Sequence, residues 1–247
     1  MCDILKDKFL DYVRLFDEED ERIQLKVEHT FQVVKVMDFL TDQLHLSSRQ
    51  KRIAHTIALF HDIGRFEQIR TYHTFVDAKS VDHADLGCQI LVEHHMLLEE
   101  EDLILCAIRN HNKLKIESDL SQEQRLMCHL IRDADKCDIF RVFASEEYST
   151  LFGFTKEEIE DSFVSNRVKE ALMHHRCVKK EDRVSGIDYC LTFIGFFYDL
   201  NFSQTMDYLK KESLYLIPFS HFQFKHEKTK QDVDEILMEL SKRMESM

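Results

Sequence analysis

The 247-residue chain places histidines and aspartates on helix faces that are otherwise apolar. In "KVEHTFQVVKVMDFL", His29 shares a stripe with Leu25, Val33, Val36 and Leu40. In "IALFHDIGRF", the adjacent pair His61 and Asp62 ends a run that carries Ile53, Ala54, Ile57 and Ala58 on one face. Asp135, in "DADK", is flanked by Ile131 and Ile139. His83 opens "HADLG", where Gly87 lets another backbone approach closely, and His111 stands in "RNHN". Any one of these could be a satisfied core polar group. A buried carboxylate without a partner is costly, however, and a cation compensates it. Neutral imidazole and carboxylate are ligands for divalent metals. The series His29, His61–Asp62, His83, His111, Asp135 offers one such group near the inward face of each helix between residues 25 and 140.

The elements that must carry these residues read as helices. Leu5, Phe9, Val13 and Phe16 have helical spacing, and the acidic run at 18–22 favours the start of the next helix. Ser47 and Ser48 cap the helix that delivers His61, and Gly64 is placed to end it. Residues 65–81 show no clear period and read as a loop of about 15 residues, long enough to suspect a function. Asp82 can start the helix that begins with His83, and the segment from Glu101 to Asn110 is amphipathic. His94 and His95 fall at a helix end and His73 in the loop, all expected to be exposed, with lining of the site mouth as the alternative for His73. Ser121 with Gln124 forms a capping-box pattern for a helix running to about Phe143. Further helical patterns cover 155–173, 187–211 and 229–246, and "SLYLIPFSHF" reads as a short extended stretch ended by Pro218.

Composition agrees with an all-α fold. There are 5 Gly and 1 Pro, too few for the many turns of an all-β chain of this length. A net charge of −13 disfavours broad nucleic-acid binding but leaves room for a small phosphorylated substrate at a local cation. The 7 Cys are scattered without metal spacing, as in a reducing cytoplasm. The charged N-terminal stretch does not read as a signal peptide, and no apolar run approaches the ~18 residues of a membrane span.

In order and setting, these residues resemble the HD-domain superfamily, named for the His–Asp doublet, over about residues 20–145. The resemblance implies a helical bundle in which His29, His61, Asp62 and Asp135 bind a divalent metal between facing helices. It also implies that His83 and His111 are the additional ligands of two-metal members, with Asp62 bridging both ions. The expected cofactor is one or two divalent ions among Mn, Fe, Ni, Co, Zn or Mg. The expected layout is a metal-binding core over 1–150 and a helical extension over 151–247. The aromatic run "TFIGFFYDLNF" would pack that extension or, alternatively, join copies in a homo-oligomer.

Two such ions could activate water, clamp substrate oxygens and stabilise displacement at phosphorus. Arg65 stands where the phosphodiesterase subgroup has Lys in its HDIGK motif, and its guanidinium could bind phosphate oxygens. Lys79 is a second candidate phosphate ligand. Asp62, Arg65 and Lys79 are thus the expected catalytic residues, the last two as substrate contacts. The chain departs from the cyclic-di-GMP phosphodiesterases, because "NKLKI" follows His111 where they have a Gly-Tyr-Pro motif, and Asn110 and Asn112 flank a single His111. It departs from the superfamily's nucleotidases by having Arg at position 65 rather than Glu. The expectation is a phosphohydrolase acting on a phosphomonoester or phosphodiester, nucleotide-like, through metal-activated water. The same ligand set also resembles HD-type di-iron oxygenases that cleave C–C or C–P bonds, and a regulator that binds nucleotide without turnover is a third reading.

Overall fold

The computed structural model describes residues 2–145, 148–212 and 217–246. The chain is all-α, with no strand among the described residues. No described helix is long and apolar enough to cross a membrane. Two compact units divide at Asp138/Ile139: residues 1–138 and residues 139–247.

The first unit contains α1 (Cys2–Val13), α2 (Glu21–Gln43), α3 (Ser48–Phe60), α4 (Ile63–Tyr72), α5 (His83–Glu93), α6 (Glu101–His111) and most of α7 (Gln122–Ser145). The caps expected at Ser47 and at Ser121 form, as reciprocal capping boxes with Gln50 and Gln124, and within the acidic run Asp20 accepts from the Arg22 N–H. Phe9 of α1 meets Phe60 and Phe66 edge-on, which closes an aromatic layer below α3 and α4.

One element differs from the expectation. Gly64 does not end the His61 helix for good, and residues 65–81 are not one loop. The chain turns at His61–Asp62 and resumes at once as α4. Ile63, Phe66 and Ile69, all buried, supply the apolar face that makes this segment helical. The loop proper follows α4 and contains a single 3-10 turn at Asp77–Lys79. Gly64 has a different purpose, a close approach to α5. A Cβ on Gly64 would lie 2.2 Å from the His83 carbonyl oxygen and 2.7 Å from the Gly87 nitrogen. The neighbour expected to crowd Gly87 is therefore the start of α4.

Helix ends in this glycine-poor chain use histidine where glycine is usual. His45, His73, His95 and His175 all have positive φ, between 50° and 55°. At the end of α2 the Leu46 N–H donates to Thr41 O and the His45 N–H to Asp42 O, a closure that a glycine makes without strain. His45 is exposed. His45→Gly should therefore raise unfolding stability by about 0.5–1 kcal/mol. A chemical denaturation series checks this, and an unchanged or lowered midpoint contradicts it.

The second unit continues with α8 (Tyr148–Phe152), α9 (Lys156–Glu160), α10 (Asn166–Met173), α11 (Gly186–Phe197), α12 (Ser203–Glu212), α13 (Ile217–Ser220) and α14 (Glu227–Ser246). The pattern at 155–173 breaks into two helices around Ser165, whose N–H and hydroxyl both donate to the buried Asp188 carboxylate. The pattern at 187–211 breaks between Phe197 and Ser203. Of the stretch expected to be extended, Ile217–Ser220 is a helical turn, and residues 213–216 lie outside the described residues. Phe193 of α11 stacks on Phe143, and Phe197 lies against Phe140.

Candidate metal centre

The turn between α3 and α4 presents the doublet. His61 is the last helical-geometry residue of α3, and Asp62 holds the N-cap position of α4 with φ −108° and ψ 15°. An N-cap Asp ordinarily accepts from the first turn of its helix. Asp62 makes no such bond, and its carboxylate turns into the unit's interior, where it is only 3% exposed. There it meets histidines from α2, α5 and α6.

The contacts sort by oxygen. Asp62 Oδ2 faces His29 Nε2 at 3.5 Å and His61 Nε2 at 3.7 Å. Asp62 Oδ1 faces His83 Nε2 at 3.3 Å and His111 Nε2 at 3.7 Å. Asp135 joins the first group, with Oδ1 3.2 Å from His29 Nε2 and 3.8 Å from His61 Nε2. All six residues singled out by the sequence thus come together, in two groups that share Asp62. His29, His61 and Asp62 could hold one ion, and Asp62, His83 and His111 another.

The other ring nitrogen of each imidazole is already engaged. His61 Nδ1 lies 2.8 Å from Ala58 O, and His111 Nδ1 lies 2.6 Å from Ile108 O, each on its own helix. His29 Nδ1 is 2.7 Å from Asp138 Oδ2, and His83 Nδ1 is 2.8 Å from Asp77 Oδ2. Carbonyl and carboxylate oxygens only accept, so every Nδ1 carries the proton, and a ring that is neutral points a bare Nε2 lone pair inward. His83 and His111 then bring two lone pairs 3.0 Å apart, while His61 Nε2 lies 3.4 Å from His29 Nε2, which also has Asp135 Oδ1 as an acceptor at 3.2 Å. The His83–His111 pair repels unless a cation lies between the rings. Atoms bound to one ion at about 2.1 Å sit roughly 3.0 Å apart at right angles and roughly 3.4 Å apart in a tetrahedron. The donor set therefore fits divalent metal.

Protonation preferences follow the surroundings. Burial pushes His61 and His83 down to about 4, so both rings are neutral at pH 7. For His29, burial and Lys26 act downward, but hydrogen bonds to Asp135 and Asp138 outweigh them and hold it above its usual value. Burial would raise Asp62, yet Lys26 and the surrounding histidines keep it well below the ordinary carboxylate range. Asp135 is lowered too, against burial, by its bond to His29.

The expected cations are placed differently from one another. Arg65 lies beside the centre, with Nε 3.7 Å from Asp62 Oδ1. Its Nη1 donates to Gln68 Oε1, the Phe75 carbonyl and Asp77 Oδ1, which ties α4 to the loop that carries Asp77. Lys79 is exposed on the 3-10 turn. His73, His94 and His95 are exposed, in agreement with the sequence pattern. Arg132, one turn before Asp135, donates to the carbonyls of Asn110 and His111 and to that of Lys113, and so holds the end of α6 that presents His111.

Three participants are not among the residues that the sequence singles out. Lys26 Nζ reaches Asp62 Oδ2 at 2.7 Å. Asp138 and Asp77 orient His29 and His83. The spacing of Asp138 is a usable signal, since it lies one turn beyond Asp135 on the same helix face. Asp77 and Lys26 carry no comparable signal.

Comparison with known proteins agrees with this geometry. The family model described as HD domain matches residues 27–139, a span that includes all six clustered residues. No curated protein and no solved structure matches the chain. From the matched span and the His/Asp groups that could hold metal, we conclude that residues 27–139 are an HD domain, the module of a superfamily of metal-dependent hydrolases.

Proposed function

We propose that this HD domain is a phosphohydrolase acting on a phosphomonoester or phosphodiester of a small, nucleotide-like substrate. The observation that carries the reading is the division of Asp62, with Oδ2 toward His29 and His61 and Oδ1 toward His83 and His111. A carboxylate used on both sides would let Asp62 serve two divalent ions at once, with His29 and His61 holding one and His83 and His111 the other, and two-ion sites serve in-line displacement at phosphorus. When bound, such ions supply Lewis acidity that acidifies a water and polarises phosphoryl oxygens.

The protein's own side chains prepare for that chemistry. Hydrogen bonds at Nδ1 fix the four imidazoles before a ligand arrives, so little reorganisation remains. Among the six clustered side chains Asp135 is the most exposed, at 17% against 4% for Asp62, so substrate has its approach on the Asp135 side. The test is elemental analysis of the purified protein, then a screen of phosphorylated compounds with and without added Mn. The expected result is about two divalent ions per chain and metal-dependent release of phosphate or a phosphomonoester. A mixed-valent iron signal together with substrate-dependent O₂ uptake would overturn the reading in favour of an oxygenase.

A further inference from the structure

Asp62 Oδ2 has a neighbour that the ligand pattern does not account for. Lys26 lies three residues before His29 on α2, so both side chains leave the same helix face. Its ammonium is 2.7 Å from Asp62 Oδ2, the same oxygen that His29 and His61 face. The Lys26 side chain is 17% exposed, as Asp135 is, so it stands at the more open edge of an otherwise closed cluster. Asp62 is its only hydrogen-bond acceptor among the described residues, which leaves two of its three N–H donors without a protein acceptor.

A divalent cation among His29, His61 and Asp62 would repel an ammonium held against the same oxygen. The side chain has somewhere to go. Its four-carbon stem is flexible, and the Phe75 ring, 5.4 Å from Nζ, offers a cation–π contact that does not depend on Asp62. Arg65 lies over the same ring at 5.7 Å, and its buried Nε has no hydrogen-bond partner among the described residues. Two cationic donors thus border Asp62, one beside each oxygen, with Phe75 common to both. Arg65 has its Nη1 committed to Gln68, Phe75 and Asp77, whereas Lys26 keeps open donors.

We propose that Lys26 is the phosphate-binding cation of this site, donating to a non-bridging phosphoryl oxygen of the substrate while the Arg65 Nε–H supports a second oxygen. The inference rests on the phosphohydrolase reading above. A phosphoryl group brings the negative charge that Lys26 needs once Asp62 is occupied by metal, and it arrives on the open side of the cluster.

The probe is inorganic phosphate, titrated calorimetrically into the Mn-loaded protein, with metal content and thermal unfolding recorded for each variant. The wild-type chain should bind phosphate. Lys26→Gln should keep its metal and its fold and bind phosphate about tenfold or more weakly, the size of one charge-assisted hydrogen bond. Lys26→Arg, which keeps the charge, should recover most of that loss. In turnover, Lys26→Gln should raise KM more than it lowers kcat. Equal phosphate affinity in wild type and Lys26→Gln would overturn the assignment and leave the phosphohydrolase reading intact. Loss of metal in Lys26→Gln would overturn it differently, by making Lys26 a support for Asp62. Failure of the wild-type, metal-loaded protein to bind phosphate would remove the reading on which the assignment stands, and the assignment with it.

Discussion

Asp62→Ala removes metal from both halves of the centre at once. That is the expected result because Asp62 offers Oδ2 to the His29–His61 group and Oδ1 to the His83–His111 group. No other clustered carboxylate has that reach, since Asp135 meets only His29 and His61. Altering even an outer partner of a metal ligand typically costs 10–100-fold in affinity or activity. Loss of the shared ligand itself should exceed about 100-fold in both. His111→Ala is the informative comparison, because it touches only the Oδ1 group and should leave one ion in place. Metal content by elemental analysis and turnover on the best phosphate ester measure both. An Asp62→Ala protein that stays fully metallated and active would refute the shared-ligand assignment.

Gly64→Ala should cost far more stability than alanine at Gly87, the other glycine of the first unit. The new Cβ would stand 2.2 Å from the His83 carbonyl oxygen and 2.7 Å from the Gly87 nitrogen. These are backbone atoms, so no rotamer change relieves the clash and α4 must move from α5. A cost of about 3 kcal/mol or more follows from overpacking of this severity. The displacement also separates Asp62 from His83, so metal affinity of the Oδ1 group should fall. Gly87→Ala, whose nearest contacts are 3.2 Å from Ile63 Cγ2 and Gly64 N, should cost much less. Thermal unfolding of the two variants decides the matter. Equal melting points for Gly64→Ala and wild type would mean that the helices are not held at backbone contact.

The clustered histidines and aspartates are more legible in the sequence than the ground between them. His29, His61 and Asp135 stand out because helical periodicity marks a polar residue on an apolar stripe, whatever the tertiary detail, and Asp62 stands out as the partner of His61 in the doublet. The α4 helix is hidden because Gly64 resembles a terminator, and the three apolar residues Ile63, Phe66 and Ile69 are too few to set a period beside it. What Gly64 does depends on α5, a partner that local rules do not see. Arg65 and Lys26 show the same limit. Arg65 has the expected place of a phosphate ligand, three residues after Asp62, yet its Nη1 is engaged with Gln68, the Phe75 carbonyl and Asp77. Lys26 has the sequence setting of an ordinary solvated lysine, and only the fold brings it to Asp62, 36 residues away.

The opposed lone pairs of His83 and His111, 3.0 Å apart, have a consequence beyond catalysis. Their repulsion belongs to the folded state alone, since an unfolded chain lets the two rings part. A cation that binds only the folded state relieves it and stabilises the fold by mass action, about 4 kcal/mol at a thousandfold excess over its dissociation constant. That is a large share of the roughly 5–15 kcal/mol by which domains of ordinary size are stable. The folded population, and with it the survival of the chain against proteases, would therefore rise and fall with the supply of metal. On the proposed reading, such a centre would tie the amount of folded protein, as well as its activity, to metal.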